Sequence, residues 1–165
     1  LGLIFFEKDE FEKAFEYFEK SYKIRKEVYS EDHRDLAESL KNIGIIYLKN
    51  KCFDYFKNEY YTKSLEYLEK SYKIYKKVYE NNLSHPDIAE LLNHIGRIYL
   101  YKGDYRKAQD DYYEKSYEIK KIIYGNDSNH PSIADSLNNI AEIYFCKGDL
   151  NRASEYYEKS YEIYK

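Results

Sequence analysis

Apolar residues recur along this chain with the period of a helix. In the segment "IAELLNHIGRIYL" (88–100), Ala89, Leu92, Ile95, Gly96 and Tyr99 fall at i, i+3, i+6, i+7 and i+10. That spacing gathers them on one helical face, whereas a strand would place apolar residues at every second position. The segments "LAESLKNIGIIYL" (36–48) and "IADSLNNIAEIYF" (133–145) align with it without gaps, and the opening "LGLIF" matches its tail, with Gly2 where Gly44, Gly96 and Ala141 stand. A second pattern lies between these. "YFEKSYKI" from Tyr17, "YLEKSYKI" from Tyr67 and "YYEKSYEI" from Tyr112 and again from Tyr156 form one octet written four times, at spacings of 50, 45 and 44 residues. Internal periods of this size signify stacked supersecondary units, here of two helices each.

The boundaries are legible as well. "HPDIAE" and "HPSIAD" place Pro86 and Pro131 at the first helical position, where a missing N–H costs nothing, and Asp87 suits the positive helix end. His33, His85 and His130 stand just ahead of three first helices and read as repeated capping residues rather than as metal ligands. "KGDY" (102–105) and "KGDL" (147–150) close the first helices, with Gly103 and Gly148 free to turn left-handed. In the second helix, Ala153, Tyr157 and Ser160 at i, i+4 and i+7 supply small residues where two helices must cross closely. The predicted helices are 1–8, 11–29, 34–49, 60–80, 87–102, 105–124, 132–147 and 150–165. Two irregularities interrupt the pattern. "AQDDYYEK" (108–115) holds one residue more than "ASEYYEK" (153–159), which predicts a helical bulge near Asp110–Asp111. Between Tyr47 and Ser64 there are eight more residues than between Tyr99 and Ala108, so 49–64 contains an insertion that lengthens helices or forms a loop.

Composition then narrows the function classes. The 23 Tyr and 8 Phe are too many, and too periodic, for a disordered segment. Most of the tyrosines occupy packing positions. Net charge is −3, and residues 85–165 hold 11 basic against 14 acidic groups, so no basic stripe exists for nucleic acid. Cys52 and Cys146 are far apart and outside any CxxC spacing, which predicts neither disulfide nor zinc and fits a reducing, cytoplasmic setting. No apolar run is long enough to cross a membrane. No nucleophile–base arrangement, phosphate loop or HExxH helix is present, so neither a catalytic residue nor a cofactor is expected.

The order of small, large and aromatic positions resembles the tetratricopeptide repeat: Leu92, Ile95, Gly96, Tyr99 and Ala108 in the third unit, Leu137, Ile140, Ala141, Tyr144 and Ala153 in the fourth. The HP opening and the long second helix are most similar to the 42-residue variety of kinesin light chains. The resemblance implies an all-α, right-handed superhelix of about three and a half units: 1–32 (partial), 33–84 with its insertion, 85–129 and 130–165. Because Leu1 aligns within the pattern, at Ile43 and Ile95, a slice of a longer array is expected. It also implies a non-enzymatic scaffold that holds a partner's peptide in a groove lined by the first helices. Residues off their core stripe are Lys41, Asn42, Ile45 and Lys49; Asn93, His94, Arg97 and Tyr101; Asn138, Asn139 and Glu142. Amides carry both a donor and an acceptor and can hold a peptide backbone whatever its sequence. By resemblance that role falls to Asn42 and Asn139, with His94 in the equivalent place of the third unit. Ligand anchors are expected against Ile45, Leu48, Leu100 and Tyr101. Lys41, Lys49 and Arg97 favour acidic ligand residues in the first half of the groove. A regulatory segment of a larger signalling protein or enzyme, and self-association through exposed ends, are the alternative readings.

Overall fold

The computed structural model describes residues 1–49, 57–125 and 129–165, without the side chain of Lys57. These residues form helices and no strand. They are α1 (Gly2–Glu7), α2 (Phe11–Val28), α3 (Arg34–Lys49), α4 (Lys57–Val78) and α5 (Pro86–Tyr101). The next helix, α6, is made of three consecutive pieces, Tyr105–Lys107, a π turn Ala108–Tyr113, and Glu114–Tyr124. Helices α7 (Pro131–Cys146) and α8 (Leu150–Tyr164) complete the chain. They fall into two compact units, Leu1–Glu80 and Asn81–Lys165, each containing two helical hairpins.

The octet is explained by what it touches within its own hairpin. Its first tyrosine stacks on the aromatic residue near the end of the preceding helix in all four copies. The pairs are Phe5–Tyr17 (5.3 Å between centroids), Tyr47–Tyr67 (5.7 Å), Tyr99–Tyr112 (5.2 Å) and Tyr144–Tyr156 (5.5 Å), with ring planes 11–17° apart. A cation lies over the first-helix ring each time: Lys13, Lys63, Lys107 and Arg152, 4.2–6.0 Å from its centroid. Lys20, Lys70 and Lys159 lie over the octet rings. Each aromatic pair adds roughly 0.5–1.5 kcal/mol beyond its burial.

The second octet position packs against the small residue of the first helix. A Cβ built on Gly44 would sit 2.7 Å from the Leu68 side chain, and one on Gly96 would sit 2.7 Å from the Tyr113 ring. The octet serine closes the crossing. Ser71, Ser116 and Ser160, each within 1% of full burial, donate to the carbonyls of Ala37, Ala89 and Ala134 at 2.7, 2.8 and 2.9 Å. The first unit centres on Ala14, Phe18, Ile43 and Ile46, the second on Leu100, Ala108, Tyr113, Ile140 and Ile143.

The bulge expected at Asp110–Asp111 is the π turn. It absorbs one extra residue, so that Ala108 keeps its buried place while Tyr112 still meets Tyr99. Gln109 secures the turn, donating to Glu114 and to the Tyr144 hydroxyl and accepting from Lys147 Nζ. Residues 50–56 of the expected insertion lie outside the described residues. Within those described, α4 begins seven residues before Ser64, whereas α8 begins three before Ala153, so part of the insertion lengthens a helix.

Within each unit a cation just after the octet clamps the next first helix. Arg25 donates to the Asp35 carbonyl at 3.0 Å and to Ser39 Oγ at 2.7 Å. Lys120 Nζ donates to the Ser132 carbonyl at 2.9 Å and to Ser136 Oγ at 3.0 Å. Burial holds the Lys120 ammonium below the usual lysine range, with Asp135 and Glu90 opposing that shift.

The turns between paired helices show one imperfect copy. Gly103 and Gly148 both have φ of +78°, and Asp104 and Asp149 accept from the N–H of Lys107 and Arg152. In the first hairpin the left-handed residue is Asp9, at φ +56°, and Glu10 makes no side-chain cap. We expect Asp9→Gly combined with Glu10→Asp to raise stability by about 1 kcal/mol, read as a higher urea midpoint. An unchanged midpoint would show that this turn is not a weak point. Gly44→Ala and Gly96→Ala should each lower stability by about 1–3 kcal/mol, because a side chain or helix must move to admit the methyl. Chemical denaturation of the two variants checks this, and a neutral result would mean that the helices separate freely.

Candidate functional site

The three capping histidines are placed by the helix starts that they serve. Nδ1 of His33, His85 and His130 accepts from the backbone N–H of Asp35, Asp87 and Ser132 at 3.1, 3.2 and 3.2 Å. A ring nitrogen that accepts cannot carry a proton, so each neutral ring is protonated on Nε2. His33 and His130 also stack on Tyr29 and Tyr124, with centroids 3.8 and 3.5 Å apart. Among the described residues no group of three or more His, Cys, Asp or Glu is arranged to hold a metal ion.

A concave surface rich in polar side chains lies in the second unit. A cleft of about 610 Å³ opens between α5 and α7, with the C-terminal part of α6 as its floor. It brings together five expected site residues: Asn93, His94 and Arg97 from α5, and Asn138 and Asn139 from α7. Pro86, Asp87, Ala89 and Glu90 line one end, with Ser132 and Asp135 opposite and Lys120, Ile123 and Tyr124 below. The polar residues share this face because they occupy the positions off the buried stripe formed by Leu92, Ile95, Leu137 and Ile140. His94 Nε2 stands 3.7 Å from Glu90 Oε1.

Asn93 Oδ1, on the cleft wall, is buried without a hydrogen-bond partner, and the Tyr113 hydroxyl, outside the cleft lining, is buried beside Arg97. Tyr113 reaches past Gly96, and its hydroxyl feels Arg97, Glu142 and Tyr101. Burial pushes this phenol well above the usual tyrosine range; Arg97 opposes the shift, while Glu142 and Tyr101 add to it. Sequence reasoning grouped Arg97, Tyr101 and Glu142 as surface residues but missed Tyr113. The signal available was that Phe18 and Leu68 occupy the same octet position without a hydroxyl.

The expected residues of the first unit, Lys41, Asn42, Ile45 and Lys49, lie together on α3. Lys41 is not an open cation. It is 5% exposed and its ammonium is 3.1 Å from Glu38, which also accepts from the Tyr75 hydroxyl at 2.7 Å. Lys49 is exposed and lies over the Phe6 ring at 4.5 Å. Asn42 and Ile45 are half-buried. The expectation of ligand anchors at Leu48 and Leu100 needs correction. Both are 5% exposed, and Leu100 belongs to the core of its unit, so their surface is already taken. Tyr101, at 38%, keeps a face in solvent.

A family model for the tetratricopeptide repeat matches residues 1–51, 48–122 and 110–165. The chain belongs to the tetratricopeptide repeat family. Domains of this family generally mediate protein–protein interactions, and the all-α repeat fold follows the family's structures. The crystal structure of BtubC (BKLC) from P. vanneervenii is similar with a TM-score of 0.79 at 18% identity, covering 99% of this chain and 60% of that one. A putative kinesin light chain from Podosopora anserina, with nearly identical TPR-like repeats, gives a TM-score of 0.55 at 17% identity, covering 99% and 91%. The apo form of RapI gives 0.55 at 22% identity, covering 96% and 64%. At such identities the likeness is one of fold. This chain spans about 60% of the length of BtubC. No curated protein matches it. No helix among the described residues is long and apolar enough to cross a membrane.

The capping role of the histidines in this repeat array is open to a direct test. Asn can supply the same acceptor at a helix start, so His130→Asn should retain most of the stability that His130→Ala loses, about 1 kcal/mol. Thermal melts compare the two variants, and 15N chemical shifts of the imidazoles should report protons on Nε2. Protons found on Nδ1 would refute the capping geometry.

Proposed function

We propose that this protein is a non-enzymatic interaction scaffold that holds an extended peptide segment of a partner in the cleft between α5 and α7. The observation that carries the reading is the concentration of amides in one concavity. Asn93, Asn138 and Asn139 line a cleft of about 610 Å³ together with His94 and Arg97. An extended peptide presents one N–H and one C=O per residue, and side-chain amides can satisfy both irrespective of the peptide's sequence. Tyr101 and Glu142 extend the same surface beyond Arg97, where Tyr101 offers an aromatic contact. On α3, Asn42 and Ile45 occupy the corresponding positions in the first unit, with Lys49 at the end of the helix and Lys41 paired with Glu38.

A second reading is self-association, favoured by apolar surface on α1 and α8. Leu1, Leu3 and Ile4 are 54–72% exposed, and Leu150, Tyr157, Tyr161 and Tyr164 are 41–65% exposed. This reading requires a mass that rises with protein concentration in sedimentation. The cleft reading does not.

Peptide-display selection on the purified chain, beside a variant with Asn139→Leu and Arg97→Glu, tests the cleft. The wild type should enrich a shared motif that the variant loses, and Asn42→Leu alone shows whether α3 contributes. Enrichment of the same peptides by wild type and cleft variant, both folded by circular dichroism, would place binding elsewhere.

A further inference from the structure

The cleft is not uniform in charge along its length. Asp87 and Glu90 on α5 and Asp135 on α7 gather at the end near the helix starts, and Arg97 stands at the other. The amides lie between them. Three carboxylates at this end face one ammonium: Lys120 Nζ, which feels Asp135 and Glu90, donates to the Ser132 carbonyl and Ser136 Oγ, and Asp135 also accepts from the Tyr164 hydroxyl. Outside the cleft lining, the buried Tyr113 hydroxyl lies beside Arg97 and interacts with its guanidinium. Between the two ends, Asn93 Oδ1 on the cleft wall is buried without a hydrogen-bond partner. Buried polar groups without partners are rare in folded proteins, and one on a cleft wall is a group that a ligand can satisfy.

We propose that the cleft selects a dipolar peptide, with a lysine or arginine set against Glu90 and Asp135 and an aspartate or glutamate set against Arg97. This rests on the peptide-binding reading above and adds to it the charge pattern of the partner. The spacing follows from helix geometry. Glu90 and Arg97 are seven residues apart on α5, about 10 Å along the axis at ~1.5 Å per residue. Asp87 extends the span to about 15 Å. An extended peptide advances ~3.3 Å per residue, so the two charges should stand about three to five residues apart. Neither an all-acidic nor an all-basic segment satisfies both ends.

The test is a random-peptide selection on the full 165-residue chain, repeated on Glu90→Gln/Asp135→Asn and on Arg97→Gln, with folding of each verified by circular dichroism. The wild type should enrich an oppositely charged pair at that spacing. The carboxylate variant should lose the preference for the basic member and keep the acidic one, and Arg97→Gln should do the reverse. In synthetic versions of the enriched peptide, replacing either charged residue by Gln should weaken binding to wild type about threefold to tenfold, as expected for partly solvated charge pairs. An enriched motif without such a pair, lost on Asn139→Leu, would overturn the charge pattern while leaving peptide binding intact. No enrichment by folded wild type would overturn both.

Discussion

Close approach of the two helices within each hairpin is the constraint on which the rest of this structure depends. Gly44 and Gly96 leave no room for a methyl group against Leu68 and Tyr113. At that separation the octet serines can reach the carbonyls of Ala37, Ala89 and Ala134. A buried serine hydroxyl at any greater distance would be left unsatisfied, at a cost of roughly 1–3 kcal/mol. The same crossing brings the terminal aromatic of the first helix face to face with the first tyrosine of the octet. Small residue, serine and tyrosine are thus three consequences of one separation, and the octet is repeated because the crossing is repeated.

Neighbouring hairpins within a unit are joined by different means. Arg25 with Ser39 and Lys120 with Ser136 are polar clamps that span from a second helix to the start of the next first helix. At the corresponding sequence positions around the boundary of the two units, the residues are Tyr75 and Leu91. Tyr75 turns its hydroxyl back to Glu38 of its own hairpin. Tyr164, at the same place in the last hairpin, does likewise with Asp135, a hydrogen bond that pushes its phenol up to about 12. The residues that follow the four octets thus alternate basic, tyrosine, basic, tyrosine along the chain.

Much of this was legible in the sequence, because helix period, caps and turns are local. Pro86, Pro131, Gly103 and Gly148 mark ends that the structure places within a residue or two. One surplus residue at Asp110–Asp111 was enough to anticipate the π turn, since the octet register on either side had to be kept. Five of the anticipated site residues meet in one cleft because the off-stripe positions of α5 and α7 face each other there. Long side chains were less legible. Lys41 and Lys49 both read as polar surface positions, but Lys41 is folded onto Glu38 and buried, which only the neighbouring helix decides. Leu48 and Leu100 sit one position from the stripe, and periodicity alone does not show that the facing helix covers them. Arg25 and Lys120 lie one residue beyond the repeated octet, outside the pattern that drew attention to it.

The π turn links the regular fold to the irregular cleft. Without it, a helix carrying the extra residue between Ala108 and Tyr112 would rotate by about 100°. Either Ala108 would leave the core or Tyr112 would lose Tyr99. With it, both contacts persist and Tyr113 lies over Gly96, its hydroxyl beside Arg97. Phe18 and Leu68 end at that depth in apolar atoms, and Tyr157 in the fourth hairpin is 41% exposed. The third hairpin alone therefore buries a phenol at this octet position, beside Arg97. Phenylalanine would fill the same space without the cost of desolvating a hydroxyl. What the hydroxyl meets there is the Arg97 guanidinium, which opposes the effect of burial on the phenol.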